Sequence, residues 1–372
     1  MRLLLSIIPV NKNKFFFISL NGNNYGDNIK CLSDFISSHH QNPKIIIWAF
    51  TKDYFDKIDC TGTKVKLLSW KYYYHILTSK YIIHNVGFHY WQYRKRKGQI
   101  VLNTWHGTAL KKLGVDFYKK NNGFLYKYFG YDYLTTNAKN TDIFVSGSRF
   151  MSNIYINALL QNKSVIHEFG TPRNDVFFQN RDDIKRRVCD YYSIDEESYI
   201  ILYAPTFRED FNLDYYDVDL MKIKSLIEQE KKRKVCVVVR WHPKFVSLQS
   251  SVNELLPSDA IDGTFYPDMQ ELLYSSNMLV TDYSSSMFDF MYSYKPVLLY
   301  VPDRDLYERG FYLNIDELPF IIVNKNNELE REIVSFNQKE YKKKVDAFLE
   351  KIGSVEDGRA TEKTYKFLMD NY

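Results

Sequence analysis

Short runs rich in valine, isoleucine and phenylalanine recur along almost the whole chain, and longer amphipathic stretches separate them. Continuous apolar runs are typical of parallel strands, because helices cover both faces of such a sheet and neither face needs polar residues. Two such series in 372 residues predict two doubly wound α/β domains. The predicted strands are 15–19, 45–50, 82–85, 100–104, 143–146 and 164–168, followed by 200–203, 235–240, 278–281, 297–300 and 320–323.

The change from the first series to the second falls in the polar, charged stretch 180–198. We therefore expect an N-terminal domain over residues 1–180 and a second domain over residues 181–340. Residues 341–372 are predicted to form helices interrupted at Gly353 and Gly358. In two-domain folds of this type, such helices often pack back on the first domain.

Charge and cysteine content limit the partners of this chain. A net charge of +5 argues against a dedicated nucleic-acid-binding protein, but it allows local basic patches that face phosphates or anionic lipid. The four cysteines are scattered and no acidic cluster has metal-ligand spacing, so we expect no disulfide framework, no metal site and no cofactor. The two apolar runs at the start are each too short to span a bilayer, and we expect no membrane-spanning segment.

A histidine motif directly follows the predicted strand 100–104. Gly107 permits a tight turn, and Thr108 is suited to cap a following helix whose free N–H groups would bind an anion near Lys111. An unperturbed imidazole pKa of about 6.5 suits His106 to take a proton from an alcohol. A lone histidine at a strand end is more often simply packed there, but the neighbouring glycine, threonine and lysines favour a function.

Two motifs in the second half also follow predicted strands, at the end where ligands of open α/β sheets bind. Arg208, two residues after Thr206, has the planar guanidinium that suits phosphate. His242, two residues after Arg240, should project at the sheet edge because Pro243 ends the strand. Taken alone, the motif Arg-x-His-Pro is more often an ordinary loop.

A fourth motif, Asp282 to Ser286, lies between a predicted strand and a helix. Hydroxyls of Ser284, Ser285 and Ser286, together with the free N–H groups of a helix start, would form an anion site. Capping of the helix would explain one serine but not three. The four motifs together predict a diphosphate held between two domains while a hydroxyl attacks it, with positive charge from side chains rather than from Mg²⁺.

In order and spacing these motifs resemble the CDP-glycerol glycerophosphotransferase family, which includes the teichoic-acid primases and polymerases. The chain departs from the family pattern at Ala109, where a proline is common. Weaker likenesses occur at Asn24-Tyr25-x-Asp27-Asn28, Phe288-Asp289-Phe290, Lys295-Pro296, Asp303 and Tyr307. The main matches are Trp105-His106-Gly107-Thr108-x-Leu110-Lys111, Gly170-x-Pro172-Arg173-x-Asp175, Tyr203-Ala204-Pro205-Thr206-x-Arg208, Arg240-x-His242-Pro243 and Thr281-Asp282-Tyr283-Ser284-Ser285.

The resemblance implies a GT-B-type α/β fold, in which two doubly wound parallel-sheet domains face a central cleft. The first domain would face the acceptor and the membrane, and the second would bind the CDP-activated donor. His106 would be the catalytic base, and His242, also catalytic, would hold the donor diphosphate. The remaining predicted substrate-binding residues are Gly107, Thr108, Lys111, Arg173, Thr206, Arg208, Arg240, Asp282, Ser284, Ser285 and Ser286.

The implied reaction moves a polyol phosphate, in the first place glycerol phosphate, from CDP-glycerol to a hydroxyl and releases CMP. The acceptor would be a prenyl-diphosphate-linked saccharide or a growing teichoic-acid or capsule chain, so the enzyme would lie peripherally on the cytoplasmic face of the cell membrane. CDP-ribitol is an alternative donor. Two further alternatives are a nucleotide-sugar glycosyltransferase of the same fold, which would release UDP or GDP, and a non-enzymatic binding subunit.

The segment 67–97 bears on the membrane question. Residues 67–81 are aromatic with interleaved lysines, and the basic run 94–97 follows. Such a segment can lie in a lipid headgroup layer, where each basic residue contributes about 1 kcal/mol. The alternative is a core helix followed by a solvated basic turn, and the lipid-linked acceptor favours membrane contact.

Overall fold

The structure is a computed structural model that describes residues 7–89, 91–118, 124–208, 212–242, 244–245, 255–307 and 310–372. Pro243, which was expected to end the strand before His242, lies outside the described residues. The chain divides into two compact units, each built on one parallel sheet. The predicted α/β fold with two parallel sheets, a GT-B-like architecture, is confirmed.

Within the described residues the first sheet has seven strands, and every pair of neighbours is parallel. The strands are β1 (Asn11–Ile18), β2 (Ile45–Phe50), β3 (Thr63–Lys66), β4 (Ser79–His84), β5 (Ile100–Asn103), β6 (Ile143–Val145) and β7 (Ile166–His167). Their spatial order is β3-β2-β1-β4-β5-β6-β7.

Three consecutive phenylalanines in β1 explain why this sheet is buried on both faces. Side chains alternate across a strand, so Phe15 and Phe17 lie in one core with Trp48, whereas Phe16 lies in another with Tyr72. None of the three phenylalanines has exposed surface. Because a buried phenylalanine contributes roughly 1.5–3 kcal/mol, the run fixes β1 at the centre of the sheet.

In the part of the chain that the structure describes, the second sheet has six strands, again with parallel neighbours throughout. The strands are β8 (Tyr199–Tyr203), β9 (Val235–Val239), β10 (Ala260–Asp262), β11 (Met278–Thr281), β12 (Val297–Tyr300) and β13 (Ile321–Val323), in the order β10-β9-β8-β11-β12-β13. All five residues of β8 are buried, as expected for a central strand covered on both faces.

Helices follow most strands and cover the sheets. They are α1 (Asp27–His39), α2 (Lys52–Phe55), α3 (Trp70–Thr78), α4 (Gly114–Tyr118), α5 (Phe124–Asn140), α6 (Arg149–Asn157), α7 (Asp182–Tyr192), α8 (Leu220–Lys231), α9 (Met269–Ser275), α10 (Ser286–Phe290), α11 (Leu329–Val334), α12 (Gln338–Ile352) and α13 (Ala360–Asn371). Short 3₁₀ turns lie at Leu20–Gly22, Lys163–Val165, Pro172–Phe178, Leu213–Tyr216, Met291–Ser293, Ile315–Glu317 and Asn326–Glu328. None of the helices in the described part of the chain is both long and apolar enough to cross a bilayer.

The two units do not follow the chain in a simple order. The first unit contains Met1–His106, Leu113–Asp175 and Ile352–Tyr372, and the second contains Gly107–Lys112 and Val176–Lys351. The C-terminal helix α13 packs against α1 in the first unit. Asp175 caps α13 because its carboxylate accepts the free N–H groups of Ala360 (2.8 Å) and Thr361 (2.9 Å).

Candidate functional site

The strand order reverses once in each sheet, between β1 and β4 in the first and between β8 and β11 in the second. At such a switch point the connections leave in opposite directions, and a crevice opens at the carboxyl ends of the strands, where ligands bind. Asn85, directly after β4, spans the first switch point. Its side chain accepts a hydrogen bond from the N–H of Leu20 (2.8 Å) and donates one to Oγ of Ser19 (3.2 Å), both just after β1.

His106 lies beside the first switch point, three residues after the end of β5. Its Nδ1 is 2.8 Å from the backbone carbonyl oxygen of Asn85. A carbonyl oxygen only accepts hydrogen bonds, so Nδ1 carries the proton and Nε2 keeps a lone pair. Burial lowers the pKa of His106, an effect that Arg173 increases and that the Asn85 carbonyl and Asp27 oppose. The ring is therefore neutral at pH 7 and can accept a proton at Nε2.

A buried ion pair holds the backbone of His106. Nη1 of Arg173 lies 2.8 Å from Oδ1 of Asp27, and the two side chains are only 9% and 7% exposed. The same Nη1 donates to the carbonyl oxygen of His106 (3.0 Å), and Oδ2 of Asp27 accepts from the side-chain amide of Asn85 (2.7 Å). The sequence predicts that Arg173 binds substrate, and the structure places its guanidinium against Asp27 and the histidine backbone.

The helix that Thr108 was expected to cap does not form, so that expectation is wrong. Gly107 has a φ of 136°, which favours glycine, but residues 108–113 are not helical and α4 starts only at Gly114. Gly107 and Thr108 are therefore partly exposed loop residues. Nζ of Lys111, in the same loop, lies 5.2 Å from the ring centroid of Tyr307.

Backbone pairing within the second unit explains the missing helix. The N–H of Lys112 donates to the carbonyl oxygen of Gly310 (3.0 Å), and the N–H of Tyr312 donates to that of Leu110 (2.8 Å). These bonds satisfy the backbone groups across two loops, where a helix would have satisfied them along one segment. Segment 107–112 therefore belongs to the second unit, although it follows His106 directly.

Arg208 lies at the second switch point between two carboxylates. Its Nη1 is 2.8 Å from Oδ2 of Asp282 and its Nε is 2.8 Å from Oδ2 of Asp303, and all three side chains are almost fully buried. Burial alone would lower the pKa of Arg208, but the two carboxylates raise it above its ordinary value. The sequence predicts a phosphate ligand here, and the structure shows a guanidinium that two carboxylates already hold.

The same carboxylates join the loops that follow β8, β11 and β12. The N–H of Thr206 donates to both oxygens of Asp282 (3.0 Å each), and Nη1 of Arg208 donates to the carbonyl oxygen of Thr206 (2.9 Å). The hydroxyl of Tyr283 donates to Asp303 (3.0 Å). The loops at this crevice are consequently fixed by charged hydrogen bonds, which are stronger than neutral ones.

His242 is exposed after β9, and its hydrogen bonding is the reverse of that of His106. Its Nδ1 accepts the backbone N–H of Lys244 (3.2 Å), so the neutral ring carries its proton on Nε2. Partial desolvation of the ring by the surrounding protein lowers the pKa of His242, as do the charges of Lys244 and Lys111, and Asp282 opposes this effect. At pH 7 this histidine is a neutral hydrogen-bond donor through Nε2.

The serine motif forms a turn more than a helix terminus. The helix α10 begins at Ser286 and has five residues, so its dipole is small. The N–H and the hydroxyl of Ser286 both lie within hydrogen-bond distance of Oγ of Ser284 (3.3 and 2.9 Å). Ser284 and Ser285 are half-buried, so this turn offers hydroxyl donors at the end of β11.

Arg240 also makes contacts within the protein. Its Nη1 donates to the carbonyl oxygens of Gly263 (3.2 Å) and Tyr266 (2.7 Å), which fixes the loop after β10.

Among the described residues, no group of three His, Cys, Asp or Glu side chains is placed to hold a metal ion. Three further residues of the site were not predicted from the sequence as site residues: Asp27, Asn85 and Asp303. Asp27 and Asp303 lie in segments that resemble the family, whereas Asn85 has no sequence signal.

The segment 67–97 is only partly available for an external partner. Lys95 pairs with Asp142, and Arg96 donates to the carbonyl oxygens of Leu77 (2.6 Å) and Ile8 (2.9 Å). These two side chains stabilise the fold. The exposed members include two tryptophans and three cations: Trp70, Trp91, Lys71, Arg94 and Lys97.

Known proteins with similar sequences belong to the family that the motifs resemble. A profile of the CDP-Glycerol:Poly(glycerophosphate) glycerophosphotransferase family matches residues 1–370. The Teichoic acid poly(glycerol phosphate) polymerase of Bacillus subtilis (strain 168) is 30% identical over 374 residues, which cover 97% of this chain and 49% of that protein. The Teichoic acid glycerol-phosphate transferase of Staphylococcus aureus (strain NCTC 8325 / PS 47) is 29% identical over 382 residues, covering 97% of this chain and 93% of that protein.

A solved structure of the Wall Teichoic Acid Polymerase TagF matches the fold with a TM-score of 0.85 and 26% sequence identity, covering 100% of this chain and 93% of that one. The chain spans about half the length of the polymerases from Bacillus subtilis and Staphylococcus epidermidis that it matches, 49% in each case.

Proposed function

Because this chain belongs to the CDP-Glycerol:Poly(glycerophosphate) glycerophosphotransferase family, we propose that it transfers glycerol phosphate from CDP-glycerol to a hydroxyl of a teichoic-acid chain and releases CMP. The observation that carries this proposal is the opposite hydrogen bonding of two histidines at strand ends. His106 presents an acceptor at Nε2, and His242 presents a donor at Nε2. A hydroxyl that loses a proton and a phosphate that gains negative charge need these two functions.

In this reaction the acceptor oxygen forms a bond to the β-phosphorus of the donor, which bears the glycerol. The bond from that phosphorus to the bridging oxygen breaks, and CMP leaves with the bridging oxygen. His106 takes the hydroxyl proton on Nε2 as the attack proceeds. General base assistance of this kind contributes typically about 10²–10⁴-fold.

We assign donor binding to the second unit. His242 donates to the diphosphate, and the hydroxyls of Ser284 and Ser285 contribute hydrogen bonds at the end of β11. The charge of Lys111 lowers the pKa of His242, so the two side chains act on the same region, and Lys111 supplies positive charge there. In this assignment Arg208 and Asp282 hold the loops that carry these donors, and Arg208 acts on the phosphate through the position of the loops.

Product analysis tests the reaction. The protein is incubated with a lipid-saccharide analogue and with CDP-glycerol, CDP-ribitol or UDP-N-acetylglucosamine in separate reactions, and products are identified by mass spectrometry. We expect CMP and an acceptor heavier by one or more glycerol phosphate units with CDP-glycerol. Transfer only from CDP-ribitol would change the donor, and transfer only from the nucleotide sugar would overturn the proposed reaction.

The acceptor side is assigned to the first unit and to the membrane surface. A prenyl-diphosphate-linked acceptor would require the protein to act peripherally at the cytoplasmic face of the cell membrane. Trp70 is 61% exposed and Trp91 is 45% exposed, and the hydroxyl of Tyr73 donates to the carbonyl oxygen of Trp91 (3.3 Å), so the two tryptophans lie on neighbouring segments. Exposed tryptophans beside cations suit a headgroup layer.

Vesicle flotation tests this surface with a matched control. Replacing Trp70 and Trp91 by serine should reduce binding to vesicles that contain anionic lipid, and it should leave CDP-glycerol binding unchanged. The control replaces Tyr191 and Phe265, each 60% exposed in the second unit, by serine and should bind vesicles like the parent protein. Equal flotation of the tryptophan variant and the parent would reject this surface.

A further inference from the structure

The hydrogen bonds behind His106 form a closed cycle of four residues. Asp27 accepts from the side-chain amide of Asn85 (2.7 Å), and the backbone carbonyl oxygen of Asn85 lies 2.8 Å from Nδ1 of His106. The backbone carbonyl oxygen of His106 in turn accepts from Arg173 (3.0 Å). Arg173 closes the cycle at Asp27 (2.8 Å). Asp27 therefore reaches His106 by two routes, one to the ring and one to the backbone.

We propose that Asp27 is a positioning residue that holds His106 in one orientation and one tautomer, through Asn85 and Arg173. This role rests on the proposed function of His106 as the base. If the bond to the Asn85 carbonyl were lost, the ring could carry its proton on Nε2. It would then present a donor where the acceptor hydroxyl needs a base.

The arrangement exceeds what a structural ion pair requires. A carboxylate that only neutralised Arg173 could place both oxygens on the guanidinium, but Oδ2 of Asp27 is bound to the Asn85 amide. The backbone is also unusual on both sides of the cycle: Asp27 has a φ of 64° and Trp105, which precedes His106, has a φ of 53°. A positive φ is a rare conformation for a bulky residue such as tryptophan, and strained backbone of this kind concentrates at functional sites.

Two charged groups act on the His106 ring within the described residues, Asp27 and Arg173. Asp27 raises the pKa of His106 and Arg173 lowers it. A base works in its unprotonated form, so kcat falls when the pH drops below the pKa of the base in the complex. Removing the charge of Asp27 lowers that pKa, and the acid limb of the kcat profile should move to lower pH.

The test uses Asp27→Asn in the full chain, with CDP-glycerol and an acceptor analogue. We expect kcat to fall by up to about 100-fold with little change in donor affinity, because the base is misplaced while the donor site is intact. The acid limb should move to lower pH in the same variant. The control Asp175→Asn removes another buried carboxylate of the first unit, which caps α13, and should lower stability without moving the acid limb.

A second variant covers the case in which Asp27→Asn does not fold. Asn85→Ala removes the side-chain amide that anchors Asn85 to Asp27 and leaves the pair of Asp27 and Arg173 in place. The backbone carbonyl that accepts from Nδ1 of His106 remains, but Asp27 no longer holds it in position. Imidazole ¹⁵N spectra of this variant should show His106 as a mixture of tautomers, whereas the parent shows the proton on Nδ1 alone. An unchanged tautomer in Asn85→Ala, or an unmoved acid limb in folded Asp27→Asn, would overturn the positioning role. If the parent transfers no glycerol phosphate, the proposed function fails, and the spectra still decide the tautomer.

Discussion

The two switch points are built on the same plan but carry different side chains. In each, a residue directly after one strand bonds to the loop after its neighbour: Asn85 to Leu20 in the first sheet, and Asp282 to Thr206 in the second. At the first, the bridging residue turns its backbone carbonyl to a histidine. At the second, the bridging residue is a carboxylate that holds Arg208.

This difference indicates what the topology supplies and what the side chains add. In both sheets, the connections that follow two adjacent parallel strands leave in opposite directions and so provide a fixed crevice. An amide bridge next to His106 yields a neutral ring with a free acceptor, which suits proton transfer. A carboxylate bridge fixes the loops of the second crevice through charged hydrogen bonds, and these loops carry the proposed donor-binding groups.

The largest expected effect is a loss of rate on replacing His106, with no matching loss of donor affinity. His106→Ala should lower the single-turnover rate by about 10²–10⁴-fold, because the base is lost. Donor affinity, measured by calorimetry with CDP-glycerol, should hardly change. The exposed His39 provides the control, since His39→Ala should retain the parental rate. A loss of donor affinity in His106→Ala with little loss of rate would reverse the roles of the two histidines.

Substitutions at the second switch point should mainly lower the stability of the second unit. Arg208→Ala leaves Asp282 and Asp303 as unpaired buried carboxylates, and we expect a loss of roughly 3–5 kcal/mol in the free energy of unfolding of the second unit. Arg240→Ala removes hydrogen bonds to neutral carbonyl oxygens and should cost about 1–3 kcal/mol. Urea denaturation of both variants measures the difference. If Arg208→Ala were as stable as the parent but bound CDP-glycerol weakly, Arg208 would be a direct phosphate ligand.

A smaller effect is expected at His242, and it should appear in binding as well as in rate. His242→Ala removes a hydrogen bond to a charged phosphate, worth roughly 1.5–3 kcal/mol, so both the donor affinity and the turnover should fall. His242→Gln keeps an amide N–H donor and should recover part of the donor affinity. Parental CDP-glycerol affinity in a folded His242→Ala protein would contradict a donor-binding role.

Much of the fold follows from the sequence because central strands are buried on both faces. Every predicted strand overlaps an observed one, and the runs of β2, β11 and β12 coincide with the predicted bounds. The two strands not predicted, β3 and β10, lie at the edges of their sheets. In β3 only Val65 is buried, so the segment lacks the continuous apolar run that marks the others.

The site was predicted less completely, because its geometry depends on contacts between distant segments. The family was predictable from the order of the motifs, and the profile match over residues 1–370 confirms it. The partner of the His106 ring is a backbone carbonyl, at Asn85, and a carbonyl leaves no signal in side-chain identity. The contacts of Arg208 are likewise tertiary, since Asp282 and Asp303 lie 74 and 95 residues away along the chain.

The central claim is that the two histidines are held as opposite tautomers, and imidazole ¹⁵N spectroscopy of the labelled parent protein tests it most directly. Spectra of His106→Gln and His242→Gln identify the two rings by the signals that disappear. At pH 7 we predict a protonated Nδ1 and an unprotonated Nε2 in His106, and the reverse in His242. The same tautomer in both rings, or the two assignments exchanged, would contradict the proposed division between proton transfer and donor binding.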